Sequence, residues 1–229
     1  MEFNYLSIKY YKMKTSLFLL SMLVFGALSL TSSCKKSDIL VSPTVTSQIT
    51  DLPKEALNND ELTSLKLMRE EEKLAKDVYT TLFAKWGINV FINISSSEQQ
   101  HTDAVLTLLN KYGLTDPVGN NAVGKFTNPD LQALYTQLVT QGNVSVLEAY
   151  KVGAKIEDLD IYDLKQALLK SDNQDIKYAY DLLSLGSRNH MRSFYGQILS
   201  LGGSYSAIFI TQAEINAIVA SPRETGGSW

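Results

Sequence analysis

Among 229 residues there are only two histidines, and both stand among residue types that bind divalent metals. His101 closes the run Glu98-Gln99-Gln100-His101, a spacing that stacks a carboxylate and an imidazole on one helix face. His190 closes Ser187-Arg188-Asn189-His190 at the equivalent point of a second segment. Glu72, and the pair Glu157 and Asp160, lie in two further segments. Imidazole with carboxylate suits iron, manganese or zinc, and two divalent cations would offset four carboxylate charges. The candidate ligands are therefore Glu72, Glu98, His101, Glu157, Asp160 and His190, for two divalent ions with iron as the first expectation.

Four helical stripes must position them. Leu65, Met68, Glu72, Ala75, Tyr79, Leu82 and Trp86 recur at steps of three and four through a stretch free of proline and glycine. That is the inward face of a helix packed among others, and Gly87 ends it. Phe91, Ile94, Glu98, His101, Val105, Leu108 and Tyr112 form a second stripe, stopped by Gly113. The third is Val146, Tyr150, Gly153, Glu157, Asp160, Leu164 and Ala167, behind the capping-box pair Ser145 and Glu148. The fourth is Ile176, Ala179 or Tyr180, Leu183, Ser187, His190, Phe194, and Gln197 or Ile198. It follows a cap signal at Asp172-Asn173, and Gly202-Gly203 closes it. Between stripes two and three the chain is too long for a tight turn, and Asn128-Pro129-Asp130 starts a short helix running to about Gln141. The pattern predicts an all-α, antiparallel four-helix bundle with a long crossover between helices two and three. A short helix near residues 211–220 reads as peripheral.

Each stripe is apolar apart from the candidate ligands and Ser187. An ionised carboxylate in such a place costs several kcal/mol unless it is paired or coordinated. Alternatives exist for each residue alone. Glu70-Glu71-Glu72 is a charge run, ordinarily a solvated face, and Glu71 rivals Glu72 as a ligand. Asp160 could face solvent and His190 could be a core histidine. A metal pair explains all six together. Tyr79 could relay an electron, although aromatic packing is the commoner role. Asp103, Arg188 and Arg192 are candidates for orienting the ligands, with ordinary surface charge as the alternative.

Glu72-Lys73-Leu74-Ala75 followed by Tyr79 resembles the first helix of ferritin-like proteins. The segments Ser97–His101 and Ser187–His190 are similar to one prokaryotic branch of that superfamily, catalogued as domain of unknown function 2202. The resemblance runs from Leu62 to Ser200 and includes Val152-Gly153-Ala154 and Asp172-Asn173. It implies a ferritin-like fold and the location of a metal site, without an established activity. One departure stands out. The fourth helix of the superfamily normally carries Glu-x-x-His, and here the glutamate position is Ser187. Asp160, one turn beyond Glu157, could supply the missing carboxylate; otherwise a single ion is expected.

The chain divides into a signal segment (1–34), a polar flexible linker (35–59), the bundle (60–202) and a C-terminal extension (203–229). A basic start at Lys14, an apolar run from Leu17 to Leu30 and Thr31-Ser32-Ser33-Cys34 resemble a bacterial lipoprotein signal, with Met13 as a second candidate start. Cys34, the only cysteine, would carry the lipid and hold the protein to the cell envelope membrane. Net charge is −3 overall, and −5 from Cys34 onward once Lys9, Lys12, Lys14 and Glu2 are set aside. Such acidity disfavours nucleic acid as a partner. No Gly-rich phosphate loop, C-x-x-C-H or G-x-S-x-G occurs, which argues against nucleotide, haem and hydrolase chemistry. Three functions remain: an oxygen- or peroxide-dependent redox enzyme acting on a small oxidant or metal substrate, a metal-binding or sensing module, and a structural bundle. A homodimer is compatible with each.

Overall fold

The computed structural model describes residues 44–226; the signal segment and Cys34 lie outside the described residues. Among those described there are seven helices and no strands: α1 (Val45–Asp51), α2 (Asn59–Trp86), α3 (Asn89–Tyr112), α4 (Pro129–Gly142), α5 (Val146–Lys170), α6 (Gln174–Ser200) and α7 (Gln212–Ala220). None of them is long and apolar enough to cross a membrane.

The four long helices each pack on two others, α2 on α3 and α5, α6 on α3 and α5. Their stripes bury two apolar clusters. One holds Val78, Tyr79, Phe91, Tyr150 and Phe194; the other holds Leu65, Val105, Leu108, Leu164 and Leu183. Helices α2 and α6 run from the second cluster to the first, whereas α3 and α5 run from the first to the second. Because α3 and α5 point the same way, the chain must return the length of a helix between them. That return is the crossover, with α4 packed on α2 and α5.

Charged side chains of α2, Glu70 of the acidic run among them, hold this crossover. Glu70, Glu71 and Glu72 are buried, which corrects the reading of the run as a solvated face. Glu70 Oε1 accepts the backbone N–H groups of Thr127 (2.6 Å) and Asn128 (3.1 Å) at the entrance to α4. Arg69 clamps Asp116 through two 3.0 Å bonds, and Asp77 accepts the Gly124 N–H at 2.9 Å. Buried Lys73 pairs with Asp77 and donates to the Ala122 carbonyl. With the crossover laid over it, Arg69, Glu70, Lys73 and Asp77 on that face of α2 are buried.

Two further segments depart from the sequence reading. Residues 45–51, assigned to a flexible linker, form α1, which buries Val45 and Ile49 against α3 and α6. Lys111 holds it by donating to the Ile49 and Leu52 carbonyls at 2.8 Å each. At the start of α6 the N-cap is Asn173, within the expected cap signal, but its side-chain amide donates to the Tyr112 hydroxyl and makes no capping bond; Glu61 of α2 accepts the N–H groups of Asp172 and Asn173 at 3.0 Å. The peripheral helix α7 is anchored through the loop before it. Buried Asp158 accepts the Tyr205 hydroxyl (2.8 Å) and the N–H groups of Ile208 (2.7 Å) and Ile210 (2.9 Å).

Candidate metal centre

Between the two apolar clusters lies one polar layer. On α2 it is Glu72, between Met68 and Ala75; on α3 it is Glu98 and His101, between Ile94 and Val105. On α5 it is Glu157 and Asp160, and on α6 it is Ser187 and His190. All are buried, with His101 and Glu157 at 0 % exposure and His190 the most exposed at 6 %. The helical period puts one polar step at mid-length of each stripe, and the alternating helix directions bring those steps to one level.

Glu98 is the hub. Its Oε2 lies 2.8 Å from His101 Nδ1, and its Oε1 lies 2.8 Å from His190 Nδ1. Glu72 Oε2 approaches His101 Nδ1 at 3.2 Å, and Glu157 Oε2 approaches His190 Nδ1 at 3.5 Å. Two triads result, Glu72–Glu98–His101 and Glu98–Glu157–His190, whose ligand atoms each fall within 4.8 Å of one another. The imidazole rings stack with centroids 5.6 Å apart. Neighbouring groups fix the outer atoms: Ser97 Oγ lies 3.1 Å from His190 Nε2, and the Tyr79 hydroxyl donates to Glu157 Oε1 at 2.5 Å.

Asp160 joins neither triad, although its carboxyl group is buried beside them. Ser187 donates to the Leu183 carbonyl at 3.1 Å, so its hydroxyl turns to its own helix. The Glu71 and Glu72 alternatives separate. Glu72 reaches His101, whereas the neighbouring charge that acts most on Glu71 is that of Asp163 on α5. Asp103 accepts from Gln99 at an exposed position, and Arg188 and Arg192 bind Glu224 of the C-terminal segment. None of these three touches the centre, contrary to the orienting role considered for them.

Charge is concentrated here. Burial works against ionising Glu98, but the two imidazoles outweigh it and hold its carboxyl below the usual carboxylate range. Burial likewise depresses His101 and His190, yet the facing carboxylates raise them to about 9 and about 10. Glu72 is pushed up to about 7, chiefly by burial. Asp160 is raised strongly by burial and then by Glu72 and Glu157. Burial, and then the Glu157 charge, keep the Tyr79 phenol far above its ordinary value, so it remains a donor. Despite this pairing, Glu98 Oε1, Glu157 Oε2, Asp160 Oδ2 and His190 Nδ1 are buried without a hydrogen bond. Close approach without hydrogen-bond geometry is what a shared cation between the groups would leave.

Two contributors escaped the sequence reading. Ser97 was visible only as part of a motif. Gly186 lies inside α6, and a Cβ there would sit 2.4 Å from His101 Cε1 and 2.5 Å from Nε2. An interior helical glycine, costly in propensity, was the signal available. Beside the rings a cavity of about 390 Å³ opens between Ser97, Gln100, Asn189 and residues 223–226.

The family model described as an uncharacterized protein domain (DUF2202) matches residues 61–222. Uncharacterized protein MJ0754 of Methanocaldococcus jannaschii is 48% identical over 178 residues, covering 78% of this chain and 96% of the relative. The crystal structure of hypothetical protein MJ0754 from the same organism superposes with a TM-score of 0.74, over 76% of this chain and 99% of that one. The match spans both triads, α3, α5 and α6 and all but the first two residues of α2, and the chain belongs to the DUF2202 family.

Proposed function

We propose that this protein is a ferritin-like four-helix bundle whose polar layer binds two divalent metal ions, most readily iron, and that it serves oxygen- or peroxide-dependent redox chemistry at the cell envelope. One observation carries the reading: four helices aim four carboxylates and two imidazoles at a single buried level. Neighbouring ligands of one ion, bonded at about 2.0–2.2 Å, stand about 3 Å apart. The 2.8–3.5 Å separations around each Nδ1 suit that spacing. Glu72 and His101 would hold one ion, Glu157 and His190 the other, with Glu98 offering one oxygen to each. Asp160 would offer a further carboxylate at the same level. Ferrous ions held in this way would supply electrons to oxygen or peroxide. The chain itself contributes a layer closed above and below by apolar side chains, a fixed imidazole orientation through Ser97, and a neutral donor, Tyr79, on Glu157.

The lipid anchor at Cys34 and the envelope location belong to this reading as well, on the motif at residues 17–34. A second reading, metal binding or sensing without turnover, is favoured by Ser187, which leaves the His190 side one carboxylate short of the superfamily pattern. The deciding experiment is the iron content per chain after anaerobic loading with ferrous iron. About two per chain is expected, falling in Glu98→Ala and His101→Ala. One ion would select the binding or sensing reading. Metal content that matches between parent and variants would remove these residues as ligands.

A further inference from the structure

Beyond the two triads, a file of carboxylates runs outward along the contact between α2 and α5. Asp160 and Asp163 follow Glu157 at steps of three on α5, and Glu71 faces them from α2. Asp163, partly buried, lines a cavity of about 210 Å³ that opens between Ser64, Met68 and Gln166. Glu71 is 5 % exposed and lies near enough to Asp163 for the two carboxyl groups to act on one another, and its Oε2 has no hydrogen-bond partner. Asp160 is 4 % exposed, and its Oδ2 has none either.

Among the described residues no lysine or arginine forms an ion pair with any of these three. Lys170, at the cavity rim, pairs with Asp60 instead. Two buried oxygens, Glu71 Oε2 and Asp160 Oδ2, are left unsatisfied. Burial without a partner is costly, and a row of carboxyl groups leading from solvent to a buried centre, each able to give up its proton to an arriving ion, suits one kind of traveller, a cation.

We propose that Asp163 and Glu71 form an outer binding station for a divalent cation, and that Asp160 passes it inward to the Glu72–Glu98–Glu157 centre. The inference rests on the metal-centre reading. Oxygen donors, carboxylate foremost, with no thiol or thiolate among them, select a hydrated ion such as ferrous iron or manganese over a thiophilic one. Successive carboxylates would replace its water step by step.

Cobalt(II) loading of the whole chain, followed by stopped-flow absorption of the histidine-bound ion, tests this. Glu71→Gln and Asp163→Asn should reach the same final absorbance as the parent, with loading slowed about tenfold or more. Asp163→Glu, which restores the charge, should recover the rate. Thermal unfolding of the metal-free variants checks that the fold is kept. Parent-like rates in both neutral variants would overturn the relay while leaving the centre intact, and so would an Asp163→Glu protein as slow as Asp163→Asn. A parent spectrum no different from that of His101→Ala would bring down the centre and the relay together.

Discussion

Glu98 touches both histidines and Gly186 gives one of them room, so the centre depends on one charged and one absent side chain. A methyl group at residue 186 would overlap His101 Cε1 and Nε2. Alanine is otherwise the better helix former, so Gly186→Ala should leave helicity intact. The displaced ring should cost metal affinity, about tenfold or more. Titration of the variant with ferrous or cobalt ions, beside its circular dichroism, reads both effects. Unchanged affinity would mean that His101 is not held where the structure places it. The acidic run makes the same point about neighbours: Glu70, Glu71 and Glu72 are adjacent in sequence, yet one holds the crossover, one faces Asp163 and one faces His101.

At the scale of elements, polar side chains of the long helices tie down the irregular segments. Glu61 serves the loop before α6, Arg69 and Glu70 serve the crossover, and Asp158 serves the segment before α7. Asp158 is 0 % exposed and accepts from three backbone N–H groups and a tyrosine, with α7 on the chain beyond them. Asp158→Asn replaces one accepting oxygen with an amide NH2 group that faces donors. The expected loss is about 3 kcal/mol, together with faster proteolysis between Tyr205 and Thr211. Metal content should not change, because no ligand lies on the released segment. A variant as stable and as protease-resistant as the parent would show that the loop is held by apolar packing alone.

For the whole molecule, the polar layer couples stability to pH. His101 and His190 in the folded chain titrate at about 9 and about 10 against an ordinary 6.5. Their contribution is therefore fully present below about 6.5 and is lost as pH rises through 9 and 10. Glu72, raised to about 7, acts in the same direction from the ordinary carboxylate range upward. The metal-free protein should accordingly show a falling melting temperature between pH 6.5 and 10. Metal must displace the imidazole protons, so apparent affinity should grow with pH across that window. Bound metal should also raise the melting temperature through linkage. Melting curves at several pH values, with and without ferrous iron under anaerobic conditions, measure both trends. A flat profile without metal would mean that the imidazoles do not carry the charge assigned to them.

By itself the sequence determined the helices and their inward faces. A period of three and four with glycine stops is local information, and it located α2, α3, α5 and α6, and α4 within the crossover, along with the polar step in each stripe. It also showed family membership through motifs that span most of the folded chain. Only the tertiary structure decided which carboxylate meets which imidazole. Adjacent glutamates on a helix differ by about 100° in direction, so the packing of α2 on α5 and the cover of the crossover separated Glu71 from Glu72. The same holds for Arg188 and Arg192, drawn to a glutamate more than 30 residues away, and for α1, whose two buried residues acquire their core only from α3 and α6. Partners distant in sequence leave no periodic trace along the chain; three-dimensional packing alone selects them.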